Sequence, residues 1–171
     1  MTISIIVSIQ VCPDSPNHFG IGKGLELLHD LSDDKKNFKE VTKNKVVIMG
    51  RNTWESIPRQ FRPLPNRKNV LISSTIQPEG VETYHDLDSA LKALEDSGEH
   101  EEVFIMGGSR LYLEALPKTQ RIYLTIVRAD KEADIFFPKT DLKKEFPTLR
   151  KRVKLIDEKT GIPWEYLIIE R

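Results

Sequence analysis

The fold is indicated first by Lys45-Val46-Val47-Ile48-Met49-Gly50-Arg51-Asn52-Thr53-Trp54, in which an apolar strand ends at a glycine and a helix begins. Gly107-Gly108-Ser109-Arg110 repeats this arrangement after the run 102–106. Backbone N–H groups at a helix start, joined by a guanidinium, suit a phosphate group. Taken alone, either turn is more often an ordinary glycine bend, and neither is a Gly-x-Gly-x-x-Gly fingerprint. Together they predict a crevice at the carboxyl ends of parallel strands, where dinucleotides commonly bind.

Strands and helices alternate along most of the remaining chain. Runs rich in β-branched residues predict strands at 3–11, 45–49, 69–73, 81–84, 102–106 and 121–127. Helical patterns occupy 32–42, 86–95 and 109–116. This alternation predicts an α/β fold with βαβ units around a largely parallel sheet. The runs 149–156 and 164–170 flank a turn-forming stretch at 158–161, which predicts an antiparallel hairpin on a sheet edge. The Pro-rich stretch 58–65 predicts a loop.

Length and composition restrict the class of protein. The 171 residues carry 26 basic and 26 acidic side chains, so no general attraction to nucleic acid or to an anionic membrane is expected. The single cysteine, Cys12, excludes an internal disulfide and a multi-cysteine metal site and suits a reducing compartment. The run 3–11 lacks a basic leader and contains polar residues, which is typical of a strand and not of a signal peptide. We expect a single domain over residues 1–171 and no metal site.

Asp34 lies on the apolar side of a predicted helix whose predicted N-cap is Ser32. With the ~100° step of a helix, the apolar residues fall between about 280° and 360°, and Asp34 falls at about 300°. Those apolar residues are Leu31, Phe38 and Val41. An ionised carboxylate directed at a core is unfavourable unless a partner satisfies it. Asp34 therefore either complements the first-turn N–H groups, as Asp33 also can, or lines a pocket beside Phe38. Such a pocket suits a flat heterocycle with amino and ring N–H donors.

Several longer motifs resemble those of the dihydrofolate reductase family. They are Gly20-Ile21-Gly22-Lys23, Val47-Ile48-Met49-Gly50-Arg51-Asn52-Thr53-Trp54-Glu55-Ser56-Ile57-Pro58, Arg62-Pro63-Leu64-Pro65-Asn66-Arg67, Met106-Gly107-Gly108-Ser109 and Tyr123-Leu124-Thr125. The resemblance follows the family's order from residue 3 to the end, and its Pro-rich stretch is most similar to eukaryotic members. It implies a twisted, mostly parallel eight-stranded sheet with flanking helices and a C-terminal antiparallel hairpin. It also implies hydride transfer from NADPH to C6 of 7,8-dihydrofolate with protonation at N5, giving tetrahydrofolate for one-carbon metabolism and thymidylate synthesis.

The resemblance implies a pterin pocket around Asp34. Asp34 matches the family's ionisable catalytic residue, which hydrogen-bonds N3 and the 2-amino group of the pterin, and Thr125 matches the hydroxyl that supports it. Arg67 matches the arginine that takes the glutamate α-carboxylate, a bidentate task for which lysine is a poor substitute. Phe38 matches the ring that packs on the pterin and aminobenzoyl groups. The other substrate-binding positions implied are Ile6, Lys39, Ile57, Leu64 and Met106.

The resemblance also implies a site for the nicotinamide dinucleotide. Gly107 and Gly108 match a cis Gly-Gly peptide that lets the backbone approach the nucleotide. Arg51, Ser73 and Ser74 match the positions that bind the adenosine 2′-phosphate. Because many eukaryotic members have arginine in place of Ser74, the NADPH preference is expected to rest mainly on Arg51.

The other cofactor positions follow from the same motifs. Thr53 and Arg110 match positions near the pyrophosphate, and Tyr112 matches a residue near the nicotinamide. Ile21, with the segment 22–27, matches the mobile loop that closes over the nicotinamide. The remaining positions of the implied set are Val7, Ser8, Gly22, Gly50, Asn52, Ser109 and Leu111.

One stretch departs from the family pattern. The family reads Leu-Pro-Trp before the catalytic helix, whereas this chain has Leu27-Leu28-His29. The missing tryptophan ordinarily packs at the pocket mouth and holds a water beside the pterin. We expect His29 to be a solvent-facing loop histidine, and the alternative is a second proton donor.

Two other functions remain open on the sequence. A pyrimidine reductase of riboflavin synthesis would also use NADPH, but Asp34, Phe38 and Arg67 favour a folate substrate. A non-catalytic ligand-binding relative is supported only by His29. The resemblance further implies a cytoplasmic monomer that binds antifolate inhibitors and requires neither nucleic acid nor a membrane.

Overall fold

The computed structural model describes residues 1–12 and 15–171, and side chains at 1–12 and 19–171. Its strands are β1 (Thr2–Cys12), β2 (Ser15–Lys23), β3 (Glu26–Leu27), β4 (Val46–Gly50), β5 (Lys68–Ile72), β6 (Glu82–Tyr84), β7 (Glu102–Ile105), β8 (Arg121–Arg128), β9 (Ile135–Phe136), β10 (Thr148–Ile156) and β11 (Pro163–Glu170). Its helices are α1 (Ser32–Thr42), α2 (Arg51–Ser56), α3 (Leu87–Ser97), α4 (Ser109–Ala115) and α5 (Leu142–Glu145). Short 3-10 turns occupy Arg59–Phe61 and Leu116–Lys118.

Eight strands form the central sheet in the order β10-β11-β8-β1-β7-β4-β5-β6. The neighbours from β8 to β6 are parallel, and β11 is antiparallel to both β8 and β10. The predicted α/β fold and the C-terminal hairpin on a sheet edge are therefore confirmed. The strands β2, β3 and β9 form an antiparallel extension on β1 that the sequence pattern did not predict.

The apolar runs of the parallel strands are buried on both faces of the sheet. Val46, Val47, Ile48 and Met49 are each 0% exposed, which explains why β4 is a continuous apolar run and not an alternating one. One face packs against α3 and α4, and the other against Trp54 of α2. Burial on both faces fixes the ends of β4 and β7, from which the two glycine turns leave the sheet.

Helix α1 lies beside β8 and begins differently from the prediction. Leu31 is the N-cap and no side chain caps the first turn, so the prediction of Ser32 as N-cap is wrong. The physical reason is that the exposed Asp33 already lies in the first turn, where its charge complements the free N–H groups. Asp33 and the lysines at 35 and 36 are exposed, as the helical pattern predicted.

The stretch 58–65 is a loop that contains one 3-10 turn and a cis peptide between Arg62 and Pro63. Within the described residues, no helix is long and apolar enough to cross a membrane.

Candidate active site

A cleft of about 790 Å³ opens at the carboxyl ends of the parallel strands. It forms because β7 ends at Ile105, opposite Ile5, whereas β1 continues past that point through Val7 and Ser8. All sixteen residues that the resemblance implies for the cofactor line this cleft: Val7, Ser8, Ile21, Gly22, Gly50, Arg51, Asn52, Thr53, Ser73, Ser74, Gly107, Gly108, Ser109, Arg110, Leu111 and Tyr112. Met106 is the one implied substrate residue that also lines it.

The two glycine turns meet at the floor of the cleft. The peptide between Gly107 and Gly108 is cis, and the Gly50 N–H donates to the Gly107 carbonyl at 2.8 Å. Gly107 has φ +111°, and a Cβ there would lie 3.2 Å from the Tyr112 ring and 3.3 Å from Thr53 Oγ1. A side chain at Gly107 would therefore be strained and crowded. The floor is bare backbone, which lets a ligand approach the peptide groups closely.

One end of the cleft carries hydroxyls and a guanidinium. Arg51 Nε donates to Glu55 Oε1 at 2.8 Å, and Arg51 Nη1 donates to Thr75 Oγ1 at 3.1 Å. Ser73 Oγ accepts the backbone N–H of Thr75 at 3.2 Å. His85 lines the cleft with them. This end offers several donors to an anion, although Glu55 offsets part of the Arg51 charge.

Some lining residues were missed by the reasoning from sequence. They are Ser56, Ile72, Thr75, His85, Asp86, Glu114 and Ile135, whereas Gly24, Leu25, Glu26 and Leu27 also line the cleft but belong to the loop segment that the resemblance implied. Two of them follow the carboxyl end of β6, just as Gly50 follows β4. Ligands commonly bind at the carboxyl ends of parallel strands, so the position of His85 and Asp86 after β6 could have indicated them as cleft residues. Leu25 and Leu27 lie in the β2–β3 hairpin, which no strand pattern had marked.

Asp34 lies apart from this cleft, against β8. Its Oδ1 accepts a hydrogen bond from Thr125 Oγ1 at 2.6 Å, and no other hydrogen bond reaches this carboxyl group from the described residues. Burial raises the pKa of Asp34, and the Thr125 hydrogen bond lowers it by less. The carboxyl group is thus fixed at one oxygen, with an increased tendency to hold a proton.

Four apolar side chains of the implied substrate-binding set share one cluster. Ile6, Ile57, Leu64 and Met106 all pack against one buried cluster, which includes Met49. The Tyr112 hydroxyl, from the cleft side, donates to the carbonyl of Ile6 at 2.9 Å. Met106 therefore belongs to both the cleft and this apolar cluster, and Ile6 is joined to the cleft wall through Tyr112.

Arg67 is fixed against helix α1. Its Nε donates to the Pro65 carbonyl at 2.9 Å, and its Nη1 donates to Thr42 Oγ1 at 3.2 Å. The guanidinium carbon lies 5.6 Å from the centre of the Phe38 ring, and burial lowers the pKa of Arg67. Lys39, the remaining implied substrate residue, is exposed on α1.

Asn69 is a buried residue that the sequence reasoning missed. Its Oδ1 accepts the Leu64 N–H at 2.9 Å, and its Nδ2 donates to the carbonyls of Leu64 at 2.9 Å and Arg67 at 3.1 Å. It therefore fastens the loop that carries both of these residues to β5. An asparagine beside a charged strand end gave no pattern from which this role could be predicted.

The expectation that His29 faces solvent is wrong. His29 is half-buried, and its Nε2 lies 2.8 Å from Gln10 Oε1, which also accepts the Lys131 N–H at 2.9 Å. Because Gln10 Oε1 is an acceptor, Nε2 is the donor, and the buried Nδ1 has no hydrogen-bond partner within the described part of the chain. Burial, followed by the charge of Lys131, lowers the pKa of His29. A buried carboxamide acceptor is the physical reason that the ring turns inward.

Comparison with known proteins gives a consistent match. A family model described as dihydrofolate reductase matches residues 4–171. A dihydrofolate reductase of Drosophila melanogaster is 34% identical over 177 residues and covers 95% of each chain. A type 3 dihydrofolate reductase of Salmonella typhimurium is 40% identical over 153 residues, which are 88% of this chain and 90% of the relative. A dihydrofolate reductase of Buchnera aphidicola subsp. Acyrthosiphon pisum is 34% identical over 172 residues, covering 100% of both chains.

Proposed function

The chain belongs to the dihydrofolate reductase family and is an enzyme that reduces dihydrofolate, and from this premise we propose that NADPH binds in the cleft and that Asp34 is the catalytic carboxylate. The observation that carries the proposal is the half-buried Asp34 carboxyl group, held by Thr125 at 2.6 Å and with a raised pKa. It adjoins an apolar pocket that meets the glycine-floored cleft at Met106.

The residues of the cleft fit a nicotinamide dinucleotide. A volume of about 790 Å³ is within the range of small-molecule sites, and the bare backbone at Gly107 leaves room for a flat ring to approach. When bound there, NADPH supplies a hydride to C6 of the pterin. Arg51, Ser73 and Ser74 bind the 2′-phosphate, and Thr53 and the exposed Arg110 bind near the pyrophosphate. Val7, Ser8, Ile21, Gly22, Asn52, Ser109, Leu111 and Tyr112 complete the walls.

Asp34 orients the pterin and promotes its protonation. With Oδ1 held by Thr125, the other oxygen is directed at the substrate, and the carboxylate accepts hydrogen bonds from N3 and the 2-amino group. A carboxyl group whose pKa lies nearer to neutrality is better suited to proton transfer than an exposed one. It promotes protonation at N5, which is distant from it, through the ring and water. Phe38 and the apolar side chains at Ile6 and Met106 exclude bulk water from this reaction.

Arg67 binds the other end of the substrate. Its contacts with Pro65 and Thr42 fix the guanidinium plane beside Phe38, so the remaining N–H groups are directed at the glutamate α-carboxylate. Ile57 and Leu64 form the walls for the aminobenzoyl group, and Lys39 lies at the exposed rim. The tetrahydrofolate formed supplies one-carbon metabolism and thymidylate synthesis.

We further propose that residues 1–171 form one domain that works as a cytoplasmic monomer and binds antifolate inhibitors. The single family match over 4–171, without a second module, supports the one-domain proposal.

Mixing the protein with NADPH and dihydrofolate tests the proposal directly. We expect the near-ultraviolet absorbance of NADPH to fall in proportion to the dihydrofolate added, and NADH to be used less well. Asp34→Asn serves as the control for adventitious oxidation. Absence of NADPH oxidation by a folded protein that nevertheless binds dihydrofolate would indicate a ligand-binding relative instead. Oxidation with an aminopyrimidine ribose phosphate but not with dihydrofolate would indicate the pyrimidine reductase.

A further inference from the structure

Tyr166 is a buried tyrosine of β11 with no role in the site described above. It pairs directly with Thr125 of β8, so both side chains lie on the same face of the sheet. Directly paired residues in antiparallel strands have Cβ atoms about 4.5–5.5 Å apart. Since Thr125 donates to Asp34, Tyr166 enters the same space from the neighbouring strand.

The hydroxyl of Tyr166 is buried without a hydrogen bond. The side chain is 5% exposed, and its oxygen finds no partner in hydrogen-bonding geometry within the described part of the chain. The Asn37 side chain is near enough to lower the pKa of Tyr166, but its contact with the hydroxyl does not meet hydrogen-bond geometry. The paired strand offers a contrast, because the Tyr123 hydroxyl donates to Glu102 at 3.2 Å. A buried polar atom without a partner destabilises a fold, and a phenylalanine would fill the same space without that cost. Folding alone therefore gives no reason for a hydroxyl at this position.

The groups around Tyr166 keep its proton in place. On α1 it faces Asp34 and Asn37, on β8 Tyr123, and on β7 Glu102. From β10, the Lys151 ammonium lies 5.5 Å from the centre of its ring. Burial raises the pKa of Tyr166 to about 12, Asn37 lowers it as the second-largest influence, and the charges of Tyr123, Asp34 and Glu102 raise it by less. The hydroxyl is therefore a donor at every pH at which the enzyme works, and Asp34 is the acceptor that Thr125 satisfies at only one oxygen.

We propose that Tyr166 is a positioning residue for Asp34, whose hydroxyl donates through one bridging water and stabilises the ionised carboxylate. A water is required because no direct hydrogen bond joins the two side chains, and a bridging water transmits nearly the full effect of a direct one. Tyr166 thereby opposes the effect of burial on Asp34, as Thr125 does. The inference rests on the proposed role of Asp34.

The test is Tyr166→Phe, with Tyr123→Phe as a matched control from the same sheet face. We measure the pH dependence of hydride transfer, the titration of the Asp34 carboxyl carbon by NMR in the ligand-free protein, and thermal unfolding. In Tyr166→Phe we expect both pH midpoints to rise by about half to one pH unit, the size expected for one lost hydrogen bond. We expect its unfolding temperature to be unchanged or higher. Tyr123→Phe should lower the unfolding temperature and leave the midpoints where they are.

Unchanged midpoints in a folded Tyr166→Phe protein would overturn the proposal, as would equal shifts in both variants. If Tyr166→Phe fails to fold, Tyr166→Met removes the hydroxyl with a different apolar side chain, and the same criteria apply. Failure of the proposed function has a different signature, because Asp34→Asn would then retain its turnover. The NMR titration in Tyr166→Phe would still report whether Tyr166 acts on Asp34.

Discussion

The catalytic role proposed for Asp34 opposes the contribution of this residue to stability. Its pKa is raised from 3.8, so the folded protein binds this proton more tightly than the unfolded chain does. Between 3.8 and the raised value, folding takes up a proton, and stability falls as pH rises through that window. Above the raised pKa, the ionised carboxylate imposes a constant cost on the folded state.

Replacement of Asp34 by asparagine is therefore expected to separate activity from stability. Turnover at neutral pH should fall roughly a hundredfold or more, with a smaller loss in acid. The unfolding temperature at neutral pH should rise, because the amide oxygen still accepts from Thr125 but carries no charge, and this gain should vanish as pH approaches 3.8. Steady-state rates and thermal unfolding across the pH range measure both effects. Asp33→Asn, on the exposed side of the same turn, should retain turnover and should not raise the unfolding temperature. Near-wild-type turnover of Asp34→Asn would remove Asp34 from the mechanism.

His29 is a second titrating group, and unlike Asp34 it makes the folded protein less stable in acid. Burial and Lys131 lower its pKa below 6.5, so the unfolded chain binds this proton more readily. Stability is fully present above 6.5 and is lost as pH falls through the lowered pKa.

His29→Trp is the informative change, because the indole N–H can still donate to Gln10 while the unpartnered Nδ1 is removed. We expect a smaller loss of stability in acid and tighter binding of dihydrofolate, since a larger ring excludes water from the pocket mouth. Thermal unfolding below pH 6.5 and pre-steady-state hydride transfer are the measurements. Weaker substrate binding by a folded His29→Trp protein would mean that Leu28 and the loop have adapted to histidine.

At the scale of elements, the helices and strands with a regular apolar pattern could be predicted from the sequence. Segments without such a pattern could not. The bounds of α1 and of the parallel strands follow from apolar periodicity, because each buries a continuous stripe or run. The strand β2 was missed since its described residues mix glycines with polar and apolar residues and are held by pairing with β1 and β9. That pairing is long-range, and no local pattern encodes it. His29 was misjudged for the same reason, because Gln10 and Lys131 are distant in sequence.

The loop that carries Leu64 and Arg67 depends on one buried side chain of β5. Asn69→Ala removes three hydrogen bonds from this loop, and we expect a loss of about 1–3 kcal/mol in the free energy of unfolding. The KM for dihydrofolate should rise roughly tenfold because Arg67 is displaced, whereas the Kd for NADPH should not change. Thr119→Ala is the control, since its buried hydroxyl donates to Ala115 away from the cleft. Equal effects of the two variants on KM would show that Asn69 acts through general stability alone.

Helices α2 and α4 offer a matched pair of arginines. Arg51 and Arg110 each bond a glutamate four residues later, at 2.8 Å and 3.0 Å. Only Arg51 also contacts Thr75, at the hydroxyl-rich end of the cleft. Arg51→Ala should reduce the preference for NADPH over NADH by about 10- to 100-fold, the contribution of a charge-assisted hydrogen bond. Arg110→Ala should weaken the binding of NADPH and of NADH alike. If Arg51→Ala also affects the two cofactors equally, Arg51 only supports the turn and does not bind the 2′-phosphate.

At the scale of the whole molecule, the candidate site consists of two adjoining regions whose residues alternate along the chain. The cleft draws on β1, β4, β5 and β7, whereas the Asp34 pocket lies between α1, β8 and the loop after α2. The glycine turns made the cleft predictable from sequence, because each marks the carboxyl end of a parallel strand. The support of the Arg67 loop by Asn69 and the role proposed for Tyr166 were not predictable, since both depend on side chains that only the folded sheet brings together.

This division predicts that the two ligands stabilise the protein separately. NADP⁺ with dihydrofolate forms a pair that does not react, so both can be present at equilibrium during thermal unfolding. A ligand at a hundred times its Kd stabilises by about 2.7 kcal/mol, and ligands at separate sites add their contributions. We expect the pair together to raise the unfolding free energy by at least the sum of the single effects. Arg67→Ala should lose the dihydrofolate increment only, and Arg51→Ala the NADP⁺ increment only. If the second ligand adds nothing to the first, the two compete for one site, and the assignment of cleft and pocket to different ligands is wrong.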